Sequence, residues 1–302
     1  MGTLTHKALE LLASKKFAQQ NKQSQFTDDE LNKSWLTDKF TEDDALEEAW
    51  KYYTEVKPTL HTWGADQYEF CQNSMNKAMT VAKGSFNPLN RTVIWPEKYF
   101  DFPLEEEWAK YDFTIKGQQI SGFLSLKGTM DLVCETRKDG VIELVDWKTG
   151  SRKDWNTGHV KDWKSLRNDS QLRLYHYALS KLCPQAKEII VTIVFINDGG
   201  PYSLDFNKSD LPKTERIIAD RFMEIKRSKK PKLIWGDRTH GWKCHRLCHY
   251  GKTKYEGSDK SICQYINREI IKIGLDRVTD KYIDVKSLGS YTGGGRTCTS
   301  SP

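Results

Sequence analysis

Asp131, Asp146 and Lys148 could do chemistry together if two neighbouring strands carry them. Residues 128–135 and 141–148 read as those strands. Arg137-Lys138-Asp139-Gly140 reads as the turn between them, because Asp-Gly between two apolar runs is a strong hairpin signal. Alternate side chains of a strand share a face, so Asp146 and Lys148 point one way while Val145 and Trp147 point the other. Two carboxylates in a half-buried site repel, and a divalent cation relieves the repulsion. A small set of hard oxygen ligands suits magnesium or manganese. Such a metal lowers the pKa of bound water and polarises a phosphoryl oxygen. A lysine beside it stabilises charge that develops in the transition state. Phosphodiester hydrolysis is the chemistry this set fits. Taken singly, Asp-x-Lys and Gly-x-x-Asp are common on solvated hairpins. Their order, spacing and a third element give them weight.

The third element is a helix expected to start near Asn168, with Asn as its cap and Gln171 three positions later. Gln171 and Tyr175 then share a face. In this order, Gly128-x-x-Asp131, Asp146-x-Lys148-Thr149-Gly150 and Gln171-x-x-x-Tyr175 resemble the RecB-type nuclease domain of the PD-(D/E)XK superfamily. Gly2-Thr3-Leu4-Thr5-His6-Lys7-Ala8-Leu9-Glu10 resembles the Gly-x-x-x-His-x-x-x-Glu helix of the same family. The resemblance implies that His6, Asp131 and Asp146 bind the catalytic magnesium or manganese, with the backbone carbonyl of Trp147 as a further ligand. It implies that Lys148 positions or activates the attacking water, and that Gln171 and Tyr175 orient the site or touch DNA. Glu10 is either a partner of His6 or an exposed helix charge. RecB-type domains usually carry a segment ahead of the histidine helix, so the sequence looks shortened at its N-terminus. The function implied is a metal-dependent DNA nuclease, most of all an exonuclease of repair, recombination or replication, and bacteriophage-encoded members work this way. The alternative is a nucleic-acid-binding module that keeps the fold without the activity.

The elements around these residues describe an α/β fold, a mixed central sheet flanked by helices like the restriction-endonuclease core. Residues 3–18 read as an amphipathic helix. Thr27-x-x-Glu30 and Thr41-x-x-Asp44 read as capping boxes for helices at 27–39 and 41–56, and His61 to Ala82 as another helix. His61 is a weaker rival to His6 for the metal. Residues 91–100, 110–116 and 119–126 alternate as strands, punctuated by Lys116-Gly117 and Ser121-Gly122. Residues 151–167 read as a long loop in which Arg152, Lys153, Trp155, Lys161, Trp163 and Lys164 either grip a DNA strand or stay solvated. A buried strand at 188–196 completes a β-α-β unit, and 202–206 pairs beside it. A last helix from about Lys213 to Arg227 places Ile217, Ile218, Phe222 and Ile225 on one side. The nuclease domain is expected at 1–232, with a helical insertion at about 19–90.

With 302 residues, 37% of them hydrophobic, and a mean hydropathy of −0.70, the chain is polar with room for a core. It has no apolar run of membrane-spanning length and no secretory pattern, so a cytoplasmic place is expected, in the host if phage-encoded. The net charge is +6. Residues 27–55 are acidic, whereas residues 226–254 hold ten basic side chains and one acidic. That basic density, interleaved with Trp235, Trp242 and Tyr250, favours a polyanion such as DNA. No Gly-x-x-x-x-Gly-Lys-Ser/Thr loop occurs, so a helicase or recombination partner would be a separate chain.

Cys71, Cys134 and Cys183 are expected as buried free thiols. Cys244, Cys248 and Cys263 fall in a basic, cysteine-rich region, 233–288. The resemblance extends to RecB-type members with an iron–sulfur cluster, whose C-terminal cysteines these resemble at wider spacing and without the N-terminal partner cysteine. The set is an incomplete cluster site, a zinc site completed by His240, His245 or His249, or three packed thiols. Residues 289–302 read as a disordered tail.

Overall fold

The computed structural model describes residues 2–21, 40–56, 64–154 and 158–228, with Arg268, Ile271 and Lys272. The chain divides into two units, Met1–Lys153 with Val160–Arg227, and Asp154–His159 with Ser228–Pro302. In the second, the Asp154 N–H donates to the His159 carbonyl at 2.8 Å and the Gly158 N–H to the Asp154 carbonyl at 2.8 Å. The helix expected at 27–39, His61, Trp155, the residues Cys244, Cys248 and Cys263, the boundaries at 232 and 288, and the tail lie outside the described residues.

The first unit holds six helices among the described residues: α1 (Gly2–Gln20), α2 (Glu42–Lys51), α3 (Ala65–Gly84), α4 (Trp163–Arg167), α5 (Ser170–Leu182) and α6 (Leu211–Arg227). The strands are β1 (Thr92–Pro103), β2 (Lys110–Ile115), β3 (Gln118–Phe123), β4 (Ser125–Glu135), β5 (Val141–Lys148), β6 (Glu188–Phe195) and β7 (Tyr202–Phe206). Five strands form one mixed sheet in the order β1-β4-β5-β6-β7, and β2 and β3 form a separate hairpin. Only β5 and β6 run parallel, joined through α5, and the other neighbours are antiparallel. This is the mixed α/β architecture expected from the sequence.

β5 reads as a nearly continuous apolar run because both of its faces are covered. Val145 and Trp147 join Leu132, Cys134 and Val194 against α1, α2 and α3. Ile142 and Leu144 join Val191 and Ile193 against Leu172, Ala178 and Leu179 of α5. Two charged side chains are buried in this strand, Glu143 and Asp146. Glu143 accepts from Arg91 at 2.6 Å and from Thr192 Oγ1 at 2.5 Å, so its charge is paired rather than stranded. Cys71, Cys134 and Cys183 are buried thiols outside any disulfide.

The hairpin turn at Lys138 to Gly140 forms as the sequence implies. The Thr136 N–H bonds the Val141 carbonyl at 3.1 Å, and Gly140 takes φ 75°. The capping box at Thr41 and Asp44 also forms. Other expectations are corrected. Asn168 ends α4 and Asp169 caps α5, its carboxylate accepting the Gln171 N–H at 2.9 Å. The expected loop at 151–167 contains α4, because Asp162 and Ser165 make a capping box there. Gly122 does not break its strand. It lies beneath Tyr111, whose hydroxyl a β-carbon would meet at 2.7 Å. In α6, Ile218 and Phe222 are buried while Ile217 and Ile225 are exposed, since only one stripe of the helix meets the core.

The edge strand β1 is held by a side chain. Gln20, at the end of α1, accepts the Val93 N–H at 3.0 Å and donates to the Val93 carbonyl at 3.2 Å. Gly128 in β4 marks a close approach, because a β-carbon there would lie 2.8 Å from the Phe100 ring tip. Phe100 is buried, so the ring has little room to retreat. Gly128→Ala should destabilise the protein by about 1–3 kcal/mol, the range for overpacking a core. Urea unfolding of Gly128→Ala, Phe100→Leu and the double variant checks this. A double variant as unstable as the sum of the singles would remove the contact from the explanation.

Candidate active site

β4 and β5 pair from Glu135↔Ile142 to Leu132↔Val145 and then part. At the next position the ladder is replaced by a side chain. Asp131 Oδ2 accepts the Trp147 N–H at 2.9 Å. The parting therefore turns a carboxylate toward β5 exactly one step past the last backbone pair, where Asp146 is carried. Further along β4, where β5 no longer covers it, the Thr129 carbonyl accepts the Tyr175 hydroxyl at 2.8 Å. Gln171 Nε2 donates to the same hydroxyl at 2.9 Å. The two α5 residues thus tie down the segment that presents Asp131.

Lys148 leans back on Asp146, its Nζ 2.9 Å from Oδ1 and 2.7 Å from Oδ2. Asp146 is fully buried, and its Oδ2 lacks a well-directed donor despite that short approach. From the opposite side α1 brings His6, with Nδ1 4.0 Å from Asp131 Oδ2. The imidazole lies against the Trp147 backbone, and its buried Nε2 has no hydrogen-bond partner. Gly2 lets the start of α1 close on the loop after Lys148, since a β-carbon there would meet Thr149 Oγ1 at 2.7 Å. Both motif glycines thus sit where a β-carbon would clash, one against Thr149 and the other against Phe100.

The electrostatics follow from burial. Asp146 is pushed up to about 6, first by burial and then by the Asp131 charge, against the pull of Lys148. Asp131 is raised too, chiefly by burial. His6 is lowered by burial and by Lys148, which favours the neutral imidazole a metal requires. Burial and the Asp146 charge raise the Tyr175 hydroxyl, which therefore stays a donor. Among the described residues no three His, Cys, Asp or Glu side chains converge into a ready-made metal cage. The donor chemistry nevertheless fits a hard divalent cation. Two buried carboxylates repel, one oxygen and one imidazole nitrogen are unsatisfied, and a cation would reverse the upward shifts.

The structure therefore brings together His6, Asp131, Asp146, Trp147, Lys148, Gln171 and Tyr175. It divides the cationic set that follows. The Arg152 N–H donates to Asp198 at 2.7 Å and its guanidinium hydrogen-bonds the Tyr202 hydroxyl. Lys161 pairs with Asp169 at 2.7 Å. Lys153 and Lys164 are exposed. Glu10 turns to Lys7 at 2.6 Å and to Glu97. Glu97 is a residue that sequence reasoning missed. It lies between Pro96, which faces Leu132, and Lys98, which faces Met130, and so opposite Asp131. Its backbone is in the left-handed region at φ 43°, and burial with the neighbouring Glu10 pushes its carboxyl up to about 8. No glycine in that strand announces it, and Pro96 directly before it is the break the sequence does show there.

The model of the PD-(D/E)XK nuclease superfamily matches residues 1–252 of this chain. No curated protein matches. The crystal structure of SSO0001 matches at a TM-score of 0.26 and 12% identity, over 82% of this chain and 86% of that one.

The raised Asp146 carboxyl has a consequence for stability. The folded protein holds a proton there between about 3.8 and 6 that the unfolded chain has released. Asp146's own contribution to stability therefore falls as pH rises through that window, by roughly 3 kcal/mol in all, while the buried His176, lowered to about 4, works in the opposite direction. In EDTA, Asp146→Asn should be more stable than the parent at pH 7.5 by about 1–3 kcal/mol, part of the gain being offset by the Lys148 partner it removes. The advantage should shrink at pH 4.5. A stability difference that is the same at both pH values would refute this account of the site.

Proposed function

Because the chain belongs to the PD-(D/E)XK nuclease superfamily, we propose that it is a divalent-metal-dependent deoxyribonuclease of the RecB type that hydrolyses phosphodiester bonds from DNA ends. The observation that carries this reading is the parted pair of strands, with Asp131 taking the Trp147 N–H beside the buried Asp146 and Lys148. The four ordered motifs from Gly2 to Tyr175 support the RecB type. In this reading the protein serves repair, recombination or replication in the cytoplasm, with any helicase or recombination protein as a separate chain. No described helix is long and apolar enough to cross a membrane.

His6, Asp131, Asp146 and the Trp147 carbonyl would hold magnesium or manganese. When bound, the metal supplies Lewis-acid polarisation of the phosphate and a lowered pKa for its water. Asp131 is held for this by the Trp147 N–H, and the neutral His6 offers a free nitrogen. Lys148 Nζ, on the partly exposed side of Asp146, orients the attacking water and stabilises the charge that builds on the phosphoryl oxygens. Gln171 and Tyr175 hold the β4 backbone in register with the scissile bond. Lys153 and Lys164 offer exposed charge for the backbone of the strand. For Cys244, Cys248 and Cys263, the sequence spacing supports a structural iron–sulfur cluster or zinc. Iron would give the anaerobically purified protein a broad visible absorption band, and a colourless sample would mean zinc or packed thiols.

End-labelled linear DNA and covalently closed circular DNA, each with manganese or magnesium, test the proposal. Linear DNA should be degraded and the circle left intact, EDTA should stop the reaction, and Asp146→Ala should lower the rate by roughly 10²–10³-fold while DNA binding persists. Cleavage of the circle would replace the exonuclease with an endonuclease. Salt-sensitive binding without cleavage under either metal would make the chain a nucleic-acid-binding module.

A further inference from the structure

One exposed aromatic side chain, Trp163, has no part in the chemistry above. Asp146 pairs with Ile193, and Ile193 with Tyr202. The three residues form one rung across β5, β6 and β7, so Asp146 and Tyr202 are two strand spacings apart, about 10 Å along the backbone. Trp163 packs on Tyr202 with ring centroids 5.2 Å apart and planes at 68°. This edge-type contact leaves Trp163 53% exposed. Behind Tyr202 lies the buried Phe195, at 6.3 Å and 74°. The Arg152 guanidinium lies over the Tyr202 ring at 5.2 Å and bonds its hydroxyl.

The mounting of Trp163 is fixed on both sides. Asp162 and Ser165 close the capping box of α4 around it. The Lys161 N–H donates to the Arg152 carbonyl at 3.0 Å, and the Lys161 ammonium is tied to Asp169. A large indole held firm and half in solvent loses little freedom when a flat ring covers it. Two exposed cations accompany it, Lys164 next in sequence and Lys153 opposite Val160 in an isolated bridge. Aromatic surface with neighbouring positive charge is the chemistry that receives single-stranded nucleic acid, since every base has a stacking face.

We propose that Trp163 is a stacking platform for an unpaired base of the DNA strand, with Lys153 and Lys164 against the adjoining phosphates. The proposal deepens the nuclease reading and rests on it for the identity of the strand. Stacking requires a base that is out of a duplex, so the platform selects single-stranded or frayed DNA.

The test compares a short labelled oligothymidylate with an abasic strand of equal length and charge, bound by the full chain in EDTA. The parent should bind the thymidylate about tenfold more tightly than the abasic strand, as one stacked base predicts. Trp163→Ala should erase that preference and keep the abasic affinity, and Trp163→Phe should keep part of it. Should Trp163→Ala lose its cooperative melting, Trp163→Leu, with apolar bulk but no aromatic face, carries the same expectation. A variant without an aromatic ring that retains the parent's preference overturns the proposal, as does a parent with no preference. Cleavage of the thymidylate in manganese is scored separately. Binding preference without cleavage keeps the platform and removes the nuclease, and cleavage without preference does the reverse.

Discussion

The parting of β4 from β5 is the constraint on which the site depends. A sheet loses backbone hydrogen bonds where two strands separate, and a buried N–H left without a partner is costly. Here the orphan N–H belongs to Trp147 and the replacement acceptor is the Asp131 carboxylate. The same bond closes the sheet and points an acidic group at Asp146. Fold and site therefore cannot be separated at this position. A residue that kept the strands together would bury the bond and lose the acid.

Every other feature of the site answers to that opening. The exposed stretch of β4 needs a partner for its carbonyl, and Tyr175 supplies it from α5 with Gln171 behind it. The two faces of β5 must both be covered, which brings α1 and its His6 to one side and α5 to the other. Burial raises both carboxylates, and Lys148 compensates only in part. Buried like charges concentrated at one point are destabilising for the free protein, and a bound cation would relieve them.

Much of this was legible because it follows local rules. The Asp139-Gly140 turn, the two-residue step from Asp146 to Lys148 and the four-residue step from Gln171 to Tyr175 are all set by strand or helix period. The parallel pairing of β5 and β6 across α5 followed from the β-α-β pattern, whereas the order of the remaining strands did not, and β2 and β3 stand apart as a hairpin of their own. What escaped depends on tertiary contact. Asp169 rather than Asn168 caps α5 because α4 uses Asn168 for its own end. Trp163 to Arg167 is helical because Asp162 caps it, a signal hidden inside a charged stretch that reads as loop. Glu97 adopts its left-handed backbone in the middle of a strand pattern, just after Pro96, and the carboxyl it places beside Glu10 depends on tertiary contact.

The amide of Gln20 has the shape of a peptide unit, and at Val93 it is used as one. At Val93 an outer strand of the sheet thus finds one donor and one acceptor already taken by its own chain. Another molecule seeking to extend the sheet from that border would first have to evict the glutamine. A single side chain thereby helps keep a long, partly apolar rim from recruiting copies of itself.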